Sequence, residues 1–172
     1  MNARSPRLAG AVLGAVAAFA LAGCSDEAQP ESRERVTASA SNEIARKTWL
    51  QPTDGTPPGL WLASRDSGHD LSPDAPAVAG WHARLADADE RFGETDRMIA
   101  NRAVQLEAML GEIGIKESAE EIIAGFAAFA GKGARAGFSD LCQHYYNLRA
   151  QGLSREASFA ALKAEAQPGG AP

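Results

Sequence analysis

Apolar residues recur at helical spacing through the second half of the chain. The clearest stripe alternates steps of three and four residues, which places its members on one face of a helix: Val78, Trp81, Leu85, Ala88 and Phe92. Pro73 and Pro76 precede the stripe, and proline is favoured at a helix start. Gly93 follows it and suits the residue just beyond a helix end. The pattern predicts one amphipathic helix that stops near Gly93.

Two more helices are predicted directly after this one. Thr95 is a favourable N-cap residue, and the apolar pattern that follows it runs as far as Gly114. Ser118 and Glu121 match the capping box, in which each side chain satisfies the other residue's backbone N–H. The positions expected to face inward are Ile99, Ala103, Leu106, Met109 or Leu110, Ile113, Ile122, Ile123, Phe126 and Phe129.

Glycines at 131, 133 and 137 then interrupt the chain before a fourth helix, which opens at Phe138 or Ser139, and a short fifth helix after Ser154. Their expected inward residues are Leu141, Cys142, Tyr145, Leu148, Phe159 and Leu162. Residues 74–166 are therefore predicted to form an all-α domain, a small bundle or array of four to five short helices. Short loops favour antiparallel packing of consecutive helices. Residues 167–172 are expected to form a flexible tail.

The chain before residue 74 has a different composition. Residues 24–48 are mostly polar and charged, and we predict a disordered tether because such a segment buries too little apolar surface to offset its ordering entropy. Residues 49–73 form an arm rich in proline, glycine and tryptophan, with no long helix expected. We interpret the arm as packing along the helical core. An exposed strip that binds a partner protein is the alternative.

Residues 1–23 have the features of an export signal. Basic residues Arg4 and Arg7 precede an apolar run from Leu8 to Leu21, which is shorter than the roughly 20 residues that a membrane-spanning helix needs. The run ends in Leu21-Ala22-Gly23-Cys24. An ordinary secretory signal also ends in small residues, so simple cleavage and release is one reading of this pattern.

The sequence Leu21-Ala22-Gly23-Cys24 resembles the lipobox of bacterial lipoprotein precursors. That resemblance implies that a signal peptidase recognises Leu21, Ala22 and Gly23, cleaves after Gly23, and leaves Cys24 carrying fatty acyl chains such as palmitate. It also implies a lipid-anchored protein of the cell envelope that faces the periplasm. Ser25, rather than aspartate, follows the cysteine, which in enteric lipoproteins implies the outer membrane rather than the inner one.

The net charge of the residues after Gly23 limits the kinds of partner that can be expected. The 15 basic and 22 acidic residues after Gly23 give a net charge of −7. A nucleic-acid partner needs a basic face, and a polybasic membrane patch needs clustered lysine and arginine, so neither is expected. Once Cys24 carries lipid, Cys142 has no partner for a disulfide within the chain. We expect it to be buried, because free cysteine is among the most buried residue types.

The sequence offers no catalytic constellation. His69, His82 and His144 lack metal-ligand spacing, so no metal and no cofactor are expected. Glu117-Ser118 matches the catalytic dipeptide of lysozyme-like lytic transglycosylases. However, its charged sequence neighbours do not suit a catalytic acid, which wants an apolar pocket. We therefore expect a protein without enzymatic activity.

Four residues are candidate contacts for a protein partner: Trp49 and Trp61 of the arm, and Arg97 and Arg102. Two guanidinium groups can clamp an acidic partner, although pairing with nearby carboxylates is the default interpretation. The segments 97–105 and 142–149 are similar to small lipoproteins of conjugative or mobile-element clusters. This implies a role in a secretion or conjugation apparatus, or in excluding incoming mobile elements. The alternative is a periplasmic enzyme or small-ligand carrier, whose cavity would be lined by Phe126, Phe129, Tyr145 and Phe159.

Overall fold

The structure is a computed structural model that describes residues 41–134 and 136–166. These residues form six helices and no strand: α1 (Pro58–Ser67), α2 (Pro76–Phe92), α3 (Asp96–Glu112), α4 (Ala119–Phe129), α5 (Phe138–Ala150) and α6 (Arg155–Ala166). The predicted all-α class is confirmed, with one helix more than expected. The predicted signal peptide, the lipobox with Cys24, the tether up to residue 40 and the tail 167–172 lie outside the described residues.

The helix boundaries follow local signals in the sequence. All five stripe residues of α2 are buried, and Gly93 ends the helix at a φ of +64°. The Thr95 hydroxyl accepts a hydrogen bond from the Met98 N–H at the start of α3. The capping box of α4 is formed, because Ser118 Oγ accepts from the Glu121 N–H and Glu121 Oε2 accepts from the Ser118 N–H.

Ile113 does not face inward as expected. The helix α3 ends at Glu112, one residue before Ile113, which is 40% exposed. The apolar spacing extended the predicted inward face one residue past the point where the backbone leaves the helix. Leu110 is the last fully buried residue of this stripe.

Helix α1 lies inside the segment for which no long helix was expected. Pro58 occupies its first turn, where the missing N–H costs nothing, and Gly68 closes it at a φ of +70°. The glycine within the helix, Gly59, lies against α2, where an added Cβ would come within 2.9 Å of His82 Nδ1. The prolines and glycines of the arm therefore bound α1 and allow its close packing on α2.

The arm packs against the helices. Leu50, Leu60, Trp61 and Leu62 all belong to the buried core. Residues 41–48, which were predicted to belong to the tether, form turns that are fixed to the end of the arm, since Asp70 Oδ1 accepts a hydrogen bond from the Ala45 N–H at 2.8 Å. The folded part of the chain therefore begins earlier than the arm.

Helix α3 lies at the centre of the bundle, where it packs against α1, α2, α4 and α5. Helix α5 makes its main helix contacts with α3 and α6. It meets α4 through aromatic side chains, with Phe126 in ring contact with Phe138 and Tyr145. Within the described part of the chain, no helix combines the length and the apolar character needed to cross a membrane.

Candidate functional site

The arm is attached to α3 by one buried side chain. Asn101 is 4% exposed, and its Oδ1 accepts a hydrogen bond from the Leu50 N–H at 2.9 Å. Its Nδ2 donates to the Leu50 carbonyl at 3.0 Å. The amide therefore satisfies both backbone groups of a residue that has no helical partner, as buried backbone groups require. This pair of bonds fixes the position of the chain on either side of Leu50.

Arg97 holds the next turn of the arm. Its guanidinium donates to the backbone carbonyls of Gln51 and Asp54. In the same turn Lys47 Nζ hydrogen-bonds to the Asp54 carboxylate, which lowers the pKa of Asp54. Among the described residues, these bonds use the Arg97 guanidinium to order the arm rather than to pair with a nearby carboxylate.

Two apolar side chains remain exposed beside these bonds. Trp49 is 39% exposed and precedes Leu50, while Met98 is 47% exposed and lies one helical turn before Asn101. On the following turn Arg102, half-buried, donates to Gln105 Oε1 at 2.7 Å. We refer to Trp49, Met98, Arg102 and Gln105 as the arm–α3 surface. Its two polar members also line a concavity of about 110 Å³ between α3 and α5.

Trp61, the other tryptophan proposed as a partner contact, is in the core. It is fully buried, and its Nε1 donates to the Lys47 carbonyl at 3.0 Å. The formation of α1 explains this, because the helix packs against α2 and α3 and its residues from Gly59 to Ser64 are all buried. Of the four predicted contacts, only Trp49 and Arg102 therefore reach the surface without an internal role in holding the arm.

A buried carboxylate lies at the turn between α3 and α4. The Glu117 side chain is 4% exposed, and it accepts hydrogen bonds from Tyr145 Oη at 2.7 Å and Arg155 Nε at 2.8 Å. Arg155 also donates from Nη2 to the Glu121 carbonyl. One side chain thus joins the α3–α4 turn to α5 and α6. Sequence reasoning missed this network, because the partners lie 28 and 38 residues away and no local signal relates them.

The chemistry of this network favours a structural role. Both carboxylate oxygens of Glu117 are occupied by donors inside the protein, whereas a general acid needs its proton within reach of a substrate. Burial, together with the hydrogen bond to the Glu117 carboxylate, raises the pKa of Tyr145, so the phenol stays protonated. Tyr145 is therefore a neutral donor that helps Arg155 to satisfy a buried charge.

Cys142 is buried, as predicted. It is 6% exposed, and burial raises the pKa of its thiol. Reactive cysteines have the opposite property, a lowered pKa in an electropositive and accessible setting. The described residues contain no group of three or more histidine, cysteine, aspartate or glutamate side chains placed to hold a metal ion.

The four aromatic residues considered for a carrier cavity are packed together. Phe126 lies in ring contact with Phe129, Tyr145 and Phe159, and both Phe126 and Tyr145 are fully buried. Phe129 and Phe159 reach the surface, where they line a groove between α4 and α6 of about 330 Å³. The aromatic cluster is thus a filled core with an open groove on its outer side.

Comparison with known proteins identifies one family. The MoxZ family model matches residues 59–167, which extends from the first turn of α1 to the end of α6. This range includes the Glu117 network and the α4–α6 groove, and it begins after Trp49 and Leu50. No curated protein and no solved structure matches the chain. Because the match covers more than half of the sequence, the chain belongs to the MoxZ family.

Proposed function

We propose that this protein is a lipid-anchored protein of the bacterial cell envelope that displays its helical domain to the periplasm and binds another protein there. The anchoring part is supported by the basic start, the apolar run and the Leu21-Ala22-Gly23-Cys24 sequence. Two or more acyl chains give stable anchoring, whereas one chain binds a membrane only marginally. Ser25 favours the outer membrane as the destination.

The arm–α3 surface carries the binding part of the proposal. It presents an exposed tryptophan on arm backbone that Asn101 and Arg97 hold in place, and an exposed methionine on helix α3. Tryptophan and arginine dominate the energy of protein interfaces, and a surface that is already ordered loses little entropy on binding. Trp49 and Arg102 are therefore the proposed anchor residues of the interface.

For the partner we propose a component of a secretion or conjugation apparatus, or of a system that excludes incoming mobile elements. The support is the similarity of segments 97–105 and 142–149 to small lipoproteins of conjugative clusters. The first of these segments contains Met98, Arg102 and Gln105 of the arm–α3 surface.

Lipid attachment is tested by metabolic labelling with a clickable palmitate analogue, followed by membrane fractionation. The full-length chain should incorporate label and sediment with membranes, and Cys24→Ala should do neither. The matched control is Cys142→Ala, which removes the other cysteine and should keep both properties. If Cys24→Ala stays labelled and membrane-bound, the anchoring proposal is wrong.

Partner binding is tested by photo-crosslinking in living cells. A photoreactive amino acid at position 49 or 98 should give a discrete crosslinked species. Position 113 is the control, because Ile113 is similarly exposed at 40% but lies outside the arm–α3 surface. Identical crosslinks from all three positions, or none from position 49, would contradict the proposed interface.

A further inference from the structure

The groove between α4 and α6 has a regular construction. Arg155, Phe159 and Lys163 lie four residues apart on α6, so they form one stripe along that helix. The facing wall on α4 is made by Gly125, Ala128 and Phe129. Gly125 permits the close approach, because an added Cβ there would lie 2.3 Å from the Phe159 ring. The groove thus has an apolar floor with a cation toward each end of its α6 wall.

The charge of this groove is opposite to that of the chain. The protein has a net charge of −5, yet the charged side chains that line the groove are both cationic. The concavity of about 420 Å³ beside the α3–α4 turn shows the contrast, since Glu107, Glu117 and Glu121 line it with one lysine. The α4–α6 groove therefore favours an anionic occupant.

Arg155 can serve both the core and an occupant. Its guanidinium stacks 4.8 Å from the Phe159 ring centroid, and its Nε and Nη2 bind Glu117 and the Glu121 carbonyl. A guanidinium has five N–H donors, so the two bonds within the described residues leave donors for a further carboxylate. The side chain is 42% exposed, which gives an occupant access to them.

The spacing of the two cations selects the class of occupant. Eight residues separate Arg155 from Lys163, which is about 12 Å along a helix. A fatty acid has one anionic group and satisfies one end only. An amphipathic helix with carboxylates seven or eight residues apart reaches both ends and lays its apolar face on Phe129 and Phe159.

We propose that the α4–α6 groove binds an acidic amphipathic helix of a partner protein. This inference takes protein binding from the proposed function, but it uses residues outside the arm–α3 surface and does not depend on lipid attachment. Failure of the Cys24 and position-49 experiments therefore leaves it standing, and its own failure leaves those results unaffected.

The test selects a phage-displayed library of random peptides of about 16 residues on the purified full-length protein in detergent. We expect the selected peptides to carry two acidic residues seven or eight positions apart with apolar residues between them. Absence of this spacing among the binders would overturn the proposal. So would equal binding of oleate with the same dependence on Lys163, because that result would make the groove a lipid site.

Variants then locate the binding. Ala128→Glu places a carboxylate in the groove and should weaken the selected peptide by about tenfold or more. Ala124→Glu is the matched control, since Ala124 is exposed on α4 and does not line the groove; it should keep wild-type affinity. Lys163→Glu should weaken binding, and replacing the matching peptide glutamate with lysine should restore it. Equal effects of both alanine substitutions, or no rescue, would overturn the proposal.

Discussion

The helical core has two halves, the arm with helices α1–α3 and the three helices α4–α6, and different interactions hold each half together. In the first half, polar side chains bind segments that have no regular structure: Trp61 donates to the Lys47 carbonyl, and Asn101 bonds both backbone groups of Leu50. Trp81 also donates to Asp66, which joins α2 to α1. In the second half, aromatic rings surround Phe126, and one buried carboxylate joins three elements.

This difference follows from what each half has to order. The arm and the turns before it contain backbone N–H and C=O groups without helical partners, and these must find side-chain partners when they are buried. Helices α4, α5 and α6 satisfy their own backbones, so aromatic packing and the Glu117 network hold them together. Loss of one arm contact should therefore act locally, whereas loss of the central ring should act on the whole α4–α6 half.

Phe126→Ala should have the largest effect. The ring is fully buried and contacts Phe129, Phe138, Tyr145 and Phe159, so its removal leaves a cavity among other rings. We expect a loss of about 3–5 kcal/mol in the free energy of unfolding, measured by urea denaturation. Phe129→Ala is the control and should cost clearly less, because Phe129 is only partly buried. Equal losses would mean that Phe126 is not the centre of this half.

Glu117→Gln should have the second largest effect on stability. The amide keeps the shape of the side chain, but it presents no charge to Arg155 and directs an N–H group at one of the two donors. We expect a loss of about 2–3 kcal/mol in the free energy of unfolding, less than for a fully buried pair because Arg155 can rehydrate.

The comparison variant for this effect is Glu120→Gln. Glu120 also pairs with an arginine, Arg84, but its side chain is 49% exposed. Exposed ion pairs contribute about 0–1 kcal/mol. Chemical denaturation of both variants should therefore separate them, and similar losses would show that burial of Glu117 adds nothing to its pair.

Asn101→Ala tests the arm. The substitution leaves the N–H and C=O of Leu50 without partners, which should cost about 1–2 kcal/mol. The effect should be local: amide hydrogen exchange should accelerate at Leu50 and its neighbours, while amides of α5 near Tyr145 keep their protection. Phe126→Ala should show the reverse pattern. Uniform acceleration in both variants would contradict the division into two halves.

The pH dependence of stability should also differ between the halves. The folded protein raises the pKa of Tyr145 and of Cys142, in both cases mainly through burial. A group whose pKa is raised in the folded state contributes its full stabilisation of the fold at pH values below its unfolded pKa, which is about 8.5 for cysteine and 10 for tyrosine. This contribution is lost as the pH rises above the unfolded pKa. Alkaline solution should therefore weaken the α4–α6 half first.

Acid should act on the arm and also on the first turns of α4 and α6, where hydrogen bonds lower the pKa of Glu121 and of Glu156. The hydrogen bond from Lys47 lowers the pKa of Asp54, so its stabilising contribution is present above the ordinary aspartate pKa and is lost as the pH falls below it. Hydrogen exchange and urea denaturation at several pH values would measure both limbs. In Cys142→Ala, the free energy of unfolding should begin to fall at a higher pH. An unchanged pH dependence in alkaline solution would exclude the thiol as a contributor.

The sequence predicted the parts of this structure that local signals determine. The α2 stripe, the glycine stop at Gly93 and the capping box of Ser118 and Glu121 each depend on residues within one or two helical turns. The burial of Cys142 followed from residue type. Helix α1 was missed because proline and glycine usually break helices, although Pro58 fits the first turn and Gly59 lets α1 lie close to the His82 ring.

The long-range hydrogen bonds that distinguish the two halves could not be predicted from local signals. Asn101 reaches Leu50 across 51 residues, and Glu117 reaches Arg155 across 38. Neither residue type indicates such a distant partner, and the charged neighbours of Glu117 only argued against a catalytic acid. Trp61 was proposed as a partner contact because its segment looked extended, and α1 turns it into the core instead.

Arg149→Met should have the smallest effect and the opposite sign. In the described part of the chain, Nε and Nη1 of Arg149 are buried without a hydrogen-bond partner, while the guanidinium lies 5.7 Å from the Tyr145 ring centroid. Methionine keeps an unbranched apolar stem and removes the unsatisfied donors, at the cost of the cation–π contact. We expect a gain of up to about 1 kcal/mol in the free energy of unfolding by urea denaturation. A loss instead would show that the Arg149 guanidinium stabilises the α4–α6 half, as polar hydrogen bonds stabilise the arm. The two halves would then differ less than proposed.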